Sequence, residues 1–280
     1  MKRSLFLSFT SVGLLMLMSQ TVVSARYDPT LKVGREDSSP KRAEMLGRIK
    51  RSHIAPGVRE KMFNSYRLTG CMHLNQIELA KNNGKLKPDC LREETGVLQP
   101  SLSYVSIVIG GGRITELIDT GQKKGWHLSR TSVATLRGMP ANVSELPKLK
   151  YDAISENTQH SLLAFLGLLN SGDLLKTSDL LVSSTQSGVV VAWRTGDSLN
   201  EFFFNKKTFL CEKQVRTIPA GVTVFLYSNY RKVANVMLPY TIVLLTPEGK
   251  AKATRQVDKW NLGAAWPADY FSPQKINFLD

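Results

Sequence analysis

Three cysteines in 280 residues are too few to staple a fold. A disulfide-rich scaffold is excluded, and a hydrophobic core has to hold the chain. Histidine is nearly as scarce, at 4. His53, His73, His127 and His160 show no metal-ligand spacing to one another or to a cysteine or carboxylate cluster, so solvated or packing roles are expected and no metal. Gly-x-Ser-x-Gly elbows, phosphate-cradling loops and dinucleotide fingerprints are absent, and no cofactor is expected. Acids are in short supply: 23 Asp and Glu stand against 37 Lys and Arg, for a formal charge of +14. At 42% hydrophobic residues, 20 Gly and 12 Pro, the composition is that of a globular chain, which excludes disorder, collagen and coiled coil as its main class.

Long apolar runs are also rare. One opens the chain: Lys2 and Arg3 precede an apolar stretch from Leu5 to Met18, followed by Val23-Ser24-Ala25. Basic, apolar and small-residue segments in that order predict a secretory signal cleaved after Ala25. Cleavage takes Lys2 and Arg3 and no acid, lowering the charge from +14 to +12. The longest later apolar stretch, Leu162 to Leu169, is about half the ~20 residues of a membrane span. The expected location is therefore outside the cytoplasm, in the periplasm. A basic protein there suits anionic partners, lipid head groups or acidic protein faces, rather than nucleic acid.

Residues 26–41 read as a polar leader. From Lys41 to Ile54, apolar residues three and four apart predict a short amphipathic helix whose outer face carries Lys41, Arg42, Arg48, Lys50 and Arg51. Period two then takes over. Tyr66, Leu68, Gly70, Met72 and Leu74 alternate with Arg67, Thr69, Cys71 and His73. Further strands are expected over 86–97, 102–109, 114–118 and 126–129, with a loose turn at Gly110-Gly111-Gly112. The segment 147–169 reads as one or two helices, apolar nearly all round at 162–169 and so buried on more than one face. Strands follow over 180–184, 189–194, 199–205, 210–216, 223–233, 236–246 and 250–261. Their short connections demand antiparallel neighbours. The prediction is a single α+β domain over 42–280, built on one large antiparallel sheet.

Two local patterns carry chemistry. Leu117-Ile118-Asp119-Thr120-Gly121 has the Asp-Thr-Gly core of aspartic proteases, which need two carboxylates sharing a proton. With one copy, an aspartic hydrolase would have to be a homodimer using Asp119; the competing reading is a strand end entering a turn. Cys71 and Cys90 lie on consecutive strands, where a disulfide is one of the open possibilities, with Cys211 left over. Asn142-Val143-Ser144 fits a glycosylation acceptor.

Several stretches, in order, resemble the family of periplasmic outer-membrane lipoprotein-sorting proteins, the Lol-type lipoprotein carriers. Tyr230-Arg231-Lys232-Val233-Ala234-Asn235-Val236-Met237-Leu238-Pro239-Tyr240 resembles the late hairpin of that family. Asp269-Tyr270-Phe271-Ser272-Pro273 resembles its closing segment. Upstream, Ser65-Tyr66-Arg67-Leu68-Thr69-Gly70, Leu86-Lys87-Pro88 and Gly121-Gln122-Lys123-Lys124-Gly125-Trp126 resemble its first strand, its basic-Pro step and a turn ending in Trp. The resemblance implies a strongly curved, unclosed antiparallel sheet, an incomplete β-barrel, whose concave face is covered by helices. It also implies a non-enzymatic carrier that shelters the acyl chains of lipid or acylated protein cargo, with transient membrane contact. A sensor or adaptor that binds an envelope protein through the basic helix is the alternative on the same fold. The lid side of the cavity would be Leu162, Leu163, Phe165, Leu166 and Leu169. The sheet side would be Phe202, Phe204, Val224, Leu226, Val243 and Leu245. Lys87 stands where the family carries the arginine that latches the lid, and it lacks that residue's planar fork.

Overall fold

The computed structural model describes residues 39–273, apart from 75–89, 99–100, 110, 133, 135–138, 140, 160, 177–179, 187, 196, 220, 247 and 268–269. The expected signal, the leader up to residue 38, and Lys87 lie outside the described residues. Two helices open the chain, α1 (Ser39–His53) and α2 (Lys61–Asn64). Helix α1 begins ahead of Lys41 because Ser39-Pro40 is itself a start signal: proline fits a first helical turn, where its missing N–H has no partner to lose. Six strands follow: β1 (Ser65–Leu74), β2 (Leu91–Leu98), β3 (Leu102–Ile109), β4 (Gly112–Asp119), β5 (Lys124–Arg130) and β6 (Asn142–Glu145). Three helices come next, α3 (Lys148–Gln159), α4 (Leu162–Ser171) and α5 (Asp173–Lys176). The chain then returns as β7 (Leu180–Ser184), β8 (Gly188–Thr195), β9 (Ser198–Asn205), β10 (Cys211–Ile218), β11 (Gly221–Val233), β12 (Val236–Leu245) and β13 (Ala251–Leu262).

All thirteen strands form one sheet in the order β6-β5-β4-β3-β2-β1-β13-β12-β11-β10-β9-β8-β7. Each half is a simple meander, and the halves join where β1 pairs antiparallel with β13, Tyr66 opposite Leu262. The antiparallel sheet expected from short turns is thus present. Its expected shape is corrected: the sheet is open, with β6 and β7 as its edges, and it is not strongly curled into an incomplete barrel. Closure would require those edges to meet. Instead the segment carrying α3, α4 and α5 leads the chain from one edge to the other. Strand β6 went unforeseen because Asn142-Val143-Ser144-Glu145 is exposed at every position, so burial imposes no alternation on it.

The register fixes which residues share a face. Tyr66, Leu68 and Met72 of β1 stand level with Val97, Thr95 and Leu91 of β2. Through β12 and β11, Leu244 stands opposite Phe225 and Ile242 opposite Tyr227. Phe202 and Phe204 of β9 complete this face, and both are fully buried. Helix α4 covers them, with Phe165 stacked on Phe202 at 4.5 Å between ring centres. The helix is cleanly bounded: the Ser161 hydroxyl accepts from Ala164 N, and Gly172 ends it in a left-handed conformation with φ of 84°. Leu46 and Ile49 of α1 join the same cluster. The opposite face of the first meander has its own cover. Tyr104, Leu117 and Leu128 pack beneath Trp266, Tyr270 and Phe271 of the C-terminal segment.

Candidate functional site

Not all of the helix-covered face is filled. Over its centre lies a partly enclosed cavity of about 200 Å³, larger than the ~150 Å³ apolar cavity that accepts benzene. Its floor is built by residues of seven strands, mostly alternate ones that the period of two brings to one side. Tyr66, Leu68 and Met72 come from β1 and Val105 from β3. Phe225 and Tyr227 come from β11, Ile242 and Leu244 from β12, and Ala253 and Trp260 from β13. The roof is Ile154 of α3 with Ser161, Leu162 and Leu163 at the start of α4. The chamber therefore lies between the middle of the sheet and two consecutive helices.

Polar groups in this apolar lining are few and tied down, as burial requires. Glu93 of β2 is 3% exposed and accepts from Arg255 of β13 twice, Nε at 2.8 Å and Nη2 at 2.5 Å. The pair spans β1 at Gly70, where an added Cβ would lie 2.4 Å from the Gln256 carbonyl oxygen, so β13 approaches only because the side chain is missing. Arg216 of β10 also lines the cavity. It donates to Asn200 Oδ1 at 3.4 Å, and Tyr227 donates to Gln214 Oε1 at 2.6 Å. Burial pushes the Tyr66 phenol up to about 12, opposed by its hydrogen bond with Ser161 and by the charge of Arg255. Burial likewise raises the Tyr227 phenol, with Cys211 adding to the rise while Arg216 and Arg255 oppose it.

The sequence-derived residues divide into three groups. Leu162 and Leu163 line the cavity. Phe165, Leu166, Leu169, Phe202 and Phe204 are buried in the adjoining core and do not line it. Val224, Leu226, Val243 and Leu245 pair with one another across β11 and β12 on the opposite face of the sheet. Their immediate neighbours Thr223, Phe225, Tyr227, Ile242 and Leu244 occupy the cavity side. Lys87, expected as a lid latch, lies outside the described residues.

A different fastening holds the roof. Glu116 of β4 is wholly buried, and Lys150 of α3 forms an ion pair with its Oε1. His127 Nδ1 lies 3.4 Å from the same oxygen, while Glu116 Oε2 has no hydrogen-bond partner among the described residues. The sequence signal for this site was slight: a lysine and a glutamate at the apolar seams of a helix and a strand.

Asp119 stands at the end of β4, where its Oδ1 accepts from Gln122 N at 2.9 Å and fastens the turn to β5. The basic face of α1 is partly committed to the fold. Lys50 donates to Asn170 O at 2.9 Å and Arg42 to Leu175 O at 3.5 Å, both carbonyls of the α4–α5 pair. Arg48 is paired with Glu44 at 2.7 Å. Cys71 and Cys90 are joined by a disulfide with a Cα–Cα distance of 5.4 Å, and Cys211 is a buried free thiol. Among the described residues, no three His, Cys, Asp or Glu side chains gather as a metal site, and no helix is long and apolar enough to cross a membrane.

No protein-family model matches the sequence, and no curated protein matches it. Solved structures do. The structure is similar to a LolA superfamily protein from Nitrosomonas europaea at 13% identity, covering 82% of this chain and 96% of that one with a TM-score of 0.46. It is similar to a putative outer membrane lipoprotein-sorting protein domain from Vibrio parahaemolyticus at 9% identity, covering 86% and 100%, with a TM-score of 0.40. A complex of MucA and MucB from Pseudomonas aeruginosa matches at 14% identity, covering 83% of this chain and 60% of that one, with a TM-score of 0.29.

Proposed function

We propose that this chain is a non-enzymatic, extracytoplasmic carrier that shelters an acyl chain, presented by a lipid or by an acylated protein, between its sheet and the α3–α4 roof. The observation that supports the reading is the cavity of about 200 Å³, whose walls are mostly apolar and which the described side chains leave unfilled. Each methylene moved from water into such a site gains about 0.8 kcal/mol before the costs of association and of parting the roof. No catalytic group is required for that task. The Cys71–Cys90 disulfide suits an oxidising compartment such as the periplasm. The excess of Lys and Arg (37) over Asp and Glu (23) suits approach to an anionic membrane surface.

Ala253 is 5% exposed and lines the cavity, so Ala253→Leu fills the chamber from within the sheet. Native mass spectrometry of the gently extracted protein should show an acyl-bearing adduct. Uptake of a fluorescent fatty acyl probe should fall about tenfold in Ala253→Leu, at an unchanged melting temperature. A wild-type protein that carries no lipid and takes up no probe ends the proposal.

A further inference from the structure

One end of the molecule gathers cations from three separate pieces of chain. Lys41, Arg48 and Arg51 follow one another at spacings of seven and three residues, so they share one side of α1. The β9–β10 turn carries Lys206 and Lys207, and the β11–β12 hairpin carries Arg231 and Lys232 just before its tip. All seven side chains are exposed. The pieces are fixed to one another. His53, at the end of α1, accepts from Cys211 N at 3.1 Å, and the Arg48 guanidinium carbon lies 5.7 Å from the centre of the Phe209 ring. Just past the helix, Ala55 N donates to Asn235 O at 2.9 Å, and Ile54 bridges Val236. The helix end, the turn and the hairpin tip therefore make one continuous surface.

Acids hardly oppose this charge. Residues 39–53, 205–212 and 228–240 contain two, Glu44 and Glu212. Glu44 is paired with Arg48, and Glu212 accepts from Asn205 Nδ2 at 2.8 Å. These pieces also offer no apolar anchor. Among the described residues the exposed large apolar side chains are Met139, Val143, Leu175 and Leu181, all on other elements. A tight protein interface is centred on buried aromatic or apolar anchors. Spread cations without such an anchor suit a plane of many phosphates, where each charge near the surface adds its own attraction. The surface also adjoins the chamber: Arg231 stands opposite Leu238 in register, and Leu238 lines the cavity. We propose that this end docks the protein on an anionic lipid surface, through the phosphate head groups. The inference goes beyond the acyl-carrier reading and does not depend on it.

The test is sedimentation of the protein with phosphatidylcholine vesicles, with and without phosphatidylglycerol. Partition should be at least ~tenfold stronger onto the anionic vesicles, and raising the salt from ~0.1 M to ~1 M should erase the difference. Lys206→Gln/Lys207→Gln and Arg231→Gln/Lys232→Gln should each weaken it roughly tenfold to thirtyfold. Lys123→Gln/Lys124→Gln removes as much charge from exposed positions at the β4–β5 turn. Strand β4 lies five strands from β12 in the sheet, beyond the ~10 Å screening length, so partition should change less than about twofold. All six side chains are exposed, so melting temperatures should stay unchanged, and each pair reports by itself. Equal losses in all three variants would mean that net charge alone draws the protein down, and would overturn the docking end. Equal partition onto both kinds of vesicle would do the same. Retention on immobilised polyglutamate without partition onto anionic vesicles overturns it in favour of an acidic protein partner. Uptake of the fatty acyl probe is a separate measurement. Its failure ends the carrier reading and leaves the docking end standing, whereas failure at the vesicles alone does the reverse.

Discussion

His53 shows what one buried side chain does to the whole chain. It ends α1, donates through Nδ1 to Met237 O at 3.1 Å, and accepts at Nε2 from Cys211 N at 3.1 Å. A protonated ring has no lone pair for that second bond. Burial accordingly lowers its pKa from 6.5 to about 4, opposed by the Met237 carbonyl. The unfolded chain therefore binds more protons than the fold between those values. Stability from this residue is complete above the ordinary histidine value, is lost as pH falls through the window, and levels off below the folded one. The loss amounts to about 3 kcal/mol. Urea midpoints of the wild-type protein should fall between about pH 7 and about pH 5, and those of His53→Gln should fall much less. Parallel curves would show that other groups set the acid limit. The sequence pointed to a solvated or packing role for this histidine, but not to which carbonyl and which amide would lock it, because those partners lie 184 and 158 residues away.

Among the elements, α3 is the one whose fastening a single substitution can cut. It meets the sheet through a small cluster, Ile118, Leu146 and Ile154 with Tyr151, and through the Lys150–Glu116 ion pair. Removing one member of a buried pair strands the other and costs about 3–5 kcal/mol, whereas replacing both costs far less. Lys150→Met should therefore speed both entry and release of an acyl probe, and adding Glu116→Leu should restore much of the wild-type rate. Stopped-flow traces identical for wild type and Lys150→Met would mean that α3 does not gate the chamber. Most of the elements were readable from period and turns, β6 and the short helix α2 not among them, whereas the face of β11 and β12 was not. Val222, Val224 and Leu226 alternate with Thr223, Phe225 and Tyr227, and in β12 Ile242 and Leu244 alternate with Val243 and Leu245. Both faces are apolar, so a period of two identifies the strands without saying which side looks inward. The deciding partners, Gln214 and Arg216 of β10, are polar residues on the buried side, the reverse of the usual pattern.

For the molecule as a whole, the disulfide is the one covalent link beyond the backbone among the described residues. It ties residues 19 positions apart, a loop whose closure is worth about 3 kcal/mol. Thermal melts should shift downward on reduction and in the Cys71→Ser/Cys90→Ser double variant by the same amount. Cys211, whose thiol is raised by burial, should stay unreactive to thiol reagents until the protein unfolds. A melting curve indifferent to reductant would show that the bridge adds nothing to the fold. The two meanders were legible because each is a succession of local hairpins. Their union was not, since it rests on contacts such as Ser65 Oγ to Ala264 O, 199 residues apart. That seam has a consequence for biogenesis. The strand that emerges early from the ribosome waits for the one that emerges last, so the middle of the sheet is its final part to assemble. Until then the rim of β1 lies bare, and a newborn chain stalled before residue 251 offers other polypeptides a template for aggregation.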